Sequence, residues 1–180
     1  MRVINLFAGP GAGKSTTAAG LFHSMKLDKF NVELVTEYAK DLTWDERWGT
    51  LDDQLYVFAK QHNRLYRLRD KVDYVVTDSP LLVGLMYKKP NYLPLHFDKL
   101  VMEAWNTYEN YNFFLHRRKE YVQVGRTQTL EQAQEVDTRV KNYLDMHGIA
   151  YENIAGDCMA PKLILRQLKN VQLEQSNPGC

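Results

Sequence analysis

Cysteine is almost missing. Cys158 and Cys180 are the only two in 180 residues, and their placement matches neither a zinc-ligand spacing nor a disulfide framework. Free thiols in a reduced, cytoplasmic setting are therefore expected. The five histidines, His23, His62, His96, His116 and His147, form no helical H-x-x-x-H pair and do not cluster with the cysteines, which argues against a metal cage. An excess of one charge is also lacking. With 23 basic against 22 acidic residues the net charge is +1, which excludes a polycation and leaves room for a local basic groove. No apolar run reaches membrane-spanning length, and no charged leader with a cleavage site precedes the first strand, so no membrane partner is expected. Internal repeats and low-complexity linkers are missing too. Nothing in the sequence specifies an oligomer.

What remains is an ordinary globular composition, 44% hydrophobic and 25% charged, long enough for one α/β domain. That domain is expected over residues 1–170, with a polar, frayed tail at 171–180. Val3 to Phe7 reads as a buried strand ending in a glycine-rich turn, and a helix should run from about Gly13 to Met25. Strands are expected at Val32 to Thr36, Tyr74 to Thr77, Asn112 to His116 and Tyr151 to Ile154. Leu51, Leu55, Phe58, Leu65 and Leu68 recur at helical spacing, predicting a helix over Leu51 to Asp70. Further helices are predicted at His96 to Tyr108, Leu130 to His147 and Pro161 to about Lys169. Strands alternating with helices imply a five-stranded, mainly parallel sheet with helices on both faces, and site residues at the carboxyl ends of the strands.

The motifs fall at those ends. Ala8-Gly9-Pro10-Gly11-Ala12-Gly13-Lys14-Ser15-Thr16 has the spacing of a Walker A loop, with alanine at the first glycine position. Its glycines let consecutive N–H groups turn inward to cradle the phosphates of ATP. Lys14 is expected on the β- and γ-phosphates, and the Ser15 hydroxyl on magnesium. Asp78, after Tyr74-Val75-Val76-Thr77, supplies the second element of that metal site. Glu37, just past the second strand, is placed to accept the proton of an attacking hydroxyl, with Asp78 as the rival base. Arginines of the segment 117–129, chiefly Arg118 and Arg126 with Arg117 beside the nucleotide, are expected in a lid that stabilises the transferred phosphoryl group. Gln54 and Gln61, seven residues apart on one helix face, can read the edge of a base. Phe58 between them is either pocket wall or core, while Tyr38, Trp44 and Trp48 offer aromatic faces for stacking.

These runs, with Val35-Thr36-Glu37-Tyr38-Ala39-Lys40, Val75-Val76-Thr77-Asp78-Ser79-Pro80 and Gly125-Arg126-Thr127-Gln128-Thr129, together resemble a group of small phage P-loop kinases. The group is similar to ribosylnicotinamide kinase domains and, more distantly, to thymidylate and deoxynucleoside kinases. It includes enzymes that phosphorylate 5-hydroxymethyluracil bases in DNA. The resemblance spans roughly residues 1 to 155. It implies the three-layer P-loop NTPase fold with a lid, ATP and magnesium, and phosphotransfer to a hydroxyl of a nucleoside-like acceptor. A flipped hydroxymethylated base in DNA is the specific form it suggests, with Lys88 and Lys89 expected on flanking phosphates and the host cytoplasm as its location. A small nucleoside kinase and an ATP-binding regulatory module are the other readings left open.

Overall fold

The computed structural model describes residues 1–118, 120–122 and 128–176, with side chains as far as residue 171. One five-stranded sheet runs through it in the order β2-β3-β1-β4-β5, and every pairing is parallel. The strands are β1 (Arg2–Phe7), β2 (Val32–Val35), β3 (Tyr74–Thr77), β4 (Glu109–His116) and β5 (Glu152–Ala155). The helices are α1 (Lys14–Leu27), α2 (Tyr38–Trp44), α3 (Trp48–Asp52), α4 (Gln54–Tyr66), α5 (Phe97–Asn106), α6 (Leu130–Met146) and α7 (Ala160–Ser176), with a 3₁₀ helix at Leu81–Met86.

Alternation along β1 builds the three layers. Ile4 and Leu6 face α1 and α7, packing with Leu21, Met25, Ile164 and Leu168. Val3 and Phe7 face the other side, where Phe58, Phe97, Val101, Trp105, Val136 and Val140 close the second core. A strand buried on both faces needs this continuous apolar run, and β1 has it except at Asn5. Asn5 is buried, and its amide donates to Asn110 Oδ1 and Asn112 Oδ1 of β4 at 3.0 and 3.1 Å. No helix among the described residues is long and apolar enough to cross a membrane.

Three expectations are corrected. The helix expected over 51–70 is broken at Asp53, whose carboxylate accepts from the Tyr56 N–H to start α4 and from the Tyr92 hydroxyl at 2.7 Å. Such a side-chain cap starts a new helix where hydrophobic spacing alone runs on. Strand β4 begins at Glu109 rather than Asn112, because its first residues are held by the asparagine ladder and carry no apolar signal. Helix α7 runs to Ser176, into what was expected to be a frayed tail.

Chain order places the site. After β1 the chain fills one side of the sheet with β2 and β3, then crosses to the other side for β4 and β5. The carboxyl end of β1 is thus the topological switch point, where a crevice opens between diverging connections.

Candidate nucleotide and phosphotransfer site

The loop after β1 turns on two left-handed glycines, Gly11 at φ 77° and Gly13 at φ 98°. Any other L-residue would be strained there. Gly11 is also crowded: a Cβ would come within 2.7 Å of the Tyr121 ring. Gly13 is the N-cap of α1 and offers no side-chain cap, so the first-turn amides of α1 are not closed by a capping side chain. Uncapped amides at the positive end of a helix dipole form an anion cradle.

Lys14 reaches back across this cradle, its ammonium donating to the carbonyls of Ala8 (2.8 Å) and Gly9 (3.0 Å). Burial pushes its pKa down; Glu37, Asp78 and Asp137 pull it back up, and Arg117 adds repulsion. Glu37, the N-cap of α2, lies in the same field. Burial pushes its carboxyl above the usual range, Lys14 opposes that shift and Asp78 reinforces it. Asp78 is buried at the end of β3, and its Oδ1 has no hydrogen-bond partner. An orphaned buried carboxylate oxygen facing a lysine and a phosphate cradle suits a metal-bound water or the metal itself. Ser15 is exposed on the first turn of α1. Among the described residues no group of three or more His, Cys, Asp or Glu side chains could hold a metal ion. Magnesium would therefore depend on Ser15, Asp78 and the nucleotide's own phosphates, the coordination Mg²⁺ favours.

The loop is locked from the far side by a pair that the motifs did not reveal. Asp137 of α6 accepts from the Gly9 N–H with one oxygen and from Arg117 at 2.8 Å with the other. Arg117 in turn donates to the Pro10 carbonyl at 2.7 Å. Gly9 packs against the Ala133 carbonyl so closely that a Cβ has no room. One signal was available: an aspartate among Ala133, Val136 and Val140 on the apolar face of α6. We expect Asp137→Ala to leave the Gly9 amide without its acceptor and a largely buried guanidinium without its carboxylate, costing about 1–3 kcal/mol. A lower Tm and a KM for ATP raised about tenfold would show it. Asp137→Asn, which keeps shape and loses charge, should fall between.

The remaining expected residues separate. Arg118 is exposed, and Arg126 lies outside the described residues. Gln61 is buried and holds backbone: Oε1 accepts from the Tyr38 N–H at 2.9 Å and Nε2 donates to the Thr36 carbonyl. It thus fixes the turn that carries Glu37, in place of the expected base contact. Gln54 is also buried and donates to the Leu51 carbonyl. Phe58 is core, edge-on to Phe97 and stacked on His62. Trp44 and Trp48 are 61% and 47% exposed. Tyr38 is half-buried, its hydroxyl 3.3 Å from that of Tyr56. Lys88 and Lys89 are ion-paired with Asp98 and Asp52, so the expected phosphate role meets occupied partners. Tyr87, 37% exposed, lies near enough to Glu37 to share its field. Burial and the nearby Glu37 raise its phenol pKa well above normal.

A family model described as an AAA domain matches residues 3–160. No curated protein matches the chain. The architecture is similar to that of deoxyadenosine kinase from M. mycoides, solved with bound dATP. That likeness has a TM-score of 0.58 at 15% identity and covers 94% of this chain and 100% of that one. At such identity the likeness shows the fold alone, the P-loop NTPase fold. The chain belongs to the AAA domain family.

Proposed function

We propose that this AAA-domain chain is a P-loop kinase that transfers the γ-phosphate of ATP, with magnesium, to a hydroxyl of a nucleoside-like acceptor. The observation that carries the reading is the convergence of half-buried Lys14 and Glu37 with buried Asp78 in one electrostatic field at the carboxyl ends of the strands. Two carboxylates in different environments divide the roles. Asp78, with its free oxygen, suits the metal, and Glu37, whose proton affinity burial has raised, suits the base. Glu37 takes the acceptor's hydroxyl proton, the oxygen attacks the γ-phosphorus, and the bond to the β–γ bridging oxygen breaks to release ADP. Lys14 leaves the Ala8 and Gly9 carbonyls for the phosphates and offsets their charge. Ser15 and Asp78 would hold magnesium, which would supply further charge neutralisation.

A pH profile checks the base. Because burial raises the Glu37 carboxyl, the acidic limb of kcat/KM should lie above the ordinary glutamate range. Activity should rise with pH through that limb as the carboxylate forms. The limb should vanish in Glu37→Gln; if it persists there, another group is the base.

The finer reading is a base-borne hydroxymethyl group in DNA. The resemblance of the loop, Glu37 and Asp78 motifs supports it, as do the exposed faces of Trp44 and Trp48. An extruded base would stack on such faces. The fold's likeness to deoxyadenosine kinase favours a free nucleoside as the second reading. ATP labelled at the γ-phosphate, offered with hydroxymethyluracil duplex, unmodified duplex and free nucleosides, separates them. Label in the modified duplex alone supports the first, label in a nucleoside alone the second. No acceptor-dependent transfer at all would leave a nucleotide-binding module.

A further inference from the structure

A groove of about 440 Å³ opens at the exposed edge of the sheet, between the chain leaving β2 and the flank of α4. Thr36 and Tyr38 line one wall, and Lys60, Asn63, Arg64 and Arg67 the other. Glu37 is the residue between Thr36 and Tyr38, so one backbone turn separates the groove from the base. Lys60, Arg64 and Arg67 sit at i, i+4 and i+7, one face of a helix, spanning roughly 10 Å. That is about three base-pair rises along the axis of B-form DNA.

The cations are held differently. Arg64 pairs with Asp41, donates to the Thr36 carbonyl at 3.1 Å and lies 5.1 Å over the Tyr38 ring. Lys60 stands 5.4 Å over the ring of Tyr56, whose hydroxyl meets that of Tyr38. None of the ion pairs among the described residues uses Lys60 or Arg67. Two exposed cations without a carboxylate therefore flank one whose position is set by the turn itself, with aromatic faces behind two of the three. Asp41 offsets part of the charge, so attraction concentrates at the ends of the row.

We propose that this groove seats the phosphodiester backbone next to the acceptor nucleotide, with Lys60 and Arg67 as phosphate contacts. The inference rests on the DNA reading above and moves the phosphate role from Lys88 and Lys89, whose charges are met by Asp98 and Asp52, to α4. A strand running along α4 would pass the Thr36–Tyr38 turn, so an extruded nucleotide could reach Glu37 while its neighbours stay in the groove.

The test measures binding of a short single-stranded deoxyoligonucleotide by fluorescence anisotropy across a salt titration. Proteins compared are the wild type, the double variant Lys60→Ala/Arg67→Ala, and Lys60→Arg/Arg67→Lys; thermal melting confirms that each is folded. Losing two phosphate contacts should make the slope of log K against log salt shallower by about 1.4, and the charge-retaining pair should restore it. An unchanged slope in the alanine variant, or no oligonucleotide binding by the wild type, overturns the proposal. So does binding of an acidic peptide that the oligonucleotide cannot displace. Label transfer to modified duplex with the same KM in wild type and alanine variant overturns the groove while the DNA reading stands. Transfer to free nucleosides alone overturns the DNA reading, and the salt slope then decides the groove separately.

Discussion

Lys14→Ala should abolish phosphotransfer in a protein that still folds. The ammonium is the one cation that the loop itself places over the phosphate cradle, and in phosphoryl transfer nearly all catalysis is positioning and electrostatic stabilisation. Its removal should cost at least about 4 kcal/mol of transition-state stabilisation, on the order of a thousandfold in kcat or more. Stability should change far less. Desolvation opposes this ammonium in the folded state and lowers its pKa, so truncation removes a half-buried charge along with its two carbonyl contacts. One further consequence follows from the field. Without Lys14, Glu37 and Asp78 repel each other unscreened, and the carboxyl of Glu37 should rise further. Turnover near wild type would remove the basis of the proposed function, whereas a collapsed far-ultraviolet spectrum would leave the mutant uninformative; Lys14→Met, which retains the aliphatic stem, guards against that outcome.

Glu37→Gln and Asp78→Asn should both cripple turnover, by separable routes. Glutamine at 37 keeps the shape of the turn that Gln61 holds through the Tyr38 N–H and the Thr36 carbonyl. ATP and magnesium binding should therefore survive, and kcat should fall about 10²–10⁴-fold, the range of general-base catalysis. Asparagine at 78 exchanges the unpartnered Oδ1 and its charge for a neutral amide, so the magnesium requirement should shift to higher concentration. Isothermal titration of ATP with and without magnesium, beside single-turnover kinetics, reads the two effects apart. If Glu37→Gln weakened nucleotide binding and spared the chemical step, the residue would belong to the other half of the site.

The nucleotide loop was legible because its chemistry leaves few choices. Turning the chain tightly enough to aim successive amides at one phosphate needs left-handed or crowded positions, and Gly11 and Gly13 occupy them. The sheet was legible for a similar reason, since strands buried on both faces must be apolar throughout. Less visible was anything made of polar side chains meeting across long separations. Asn5 and Asn112 bond across a sequence separation of 107, and Asp137 reaches Gly9 across one of 128. Neither pairing has a local pattern. Gln61 shows the intermediate case: its spacing put it on one helix face with Gln54, but only the observed partners revealed that it braces backbone.

By itself, then, the sequence determined the layered α/β architecture, the glycine-rich loop after β1 and the carboxylates that follow β2 and β3, because each follows from local backbone geometry or from the period of apolar residues. Tertiary structure decided the rest. It joined Lys14, Glu37 and Asp78 into one electrostatic unit, drew Asp137 and Arg117 against the loop, assigned Phe58 to the core, and tied Lys88 and Lys89 to carboxylates while Lys60 and Arg67 pair with none among the described residues. These outcomes depend on distances between segments far apart in the chain, and charge–charge and hydrogen-bond energies fall off with such distances in a way that residue spacing cannot encode.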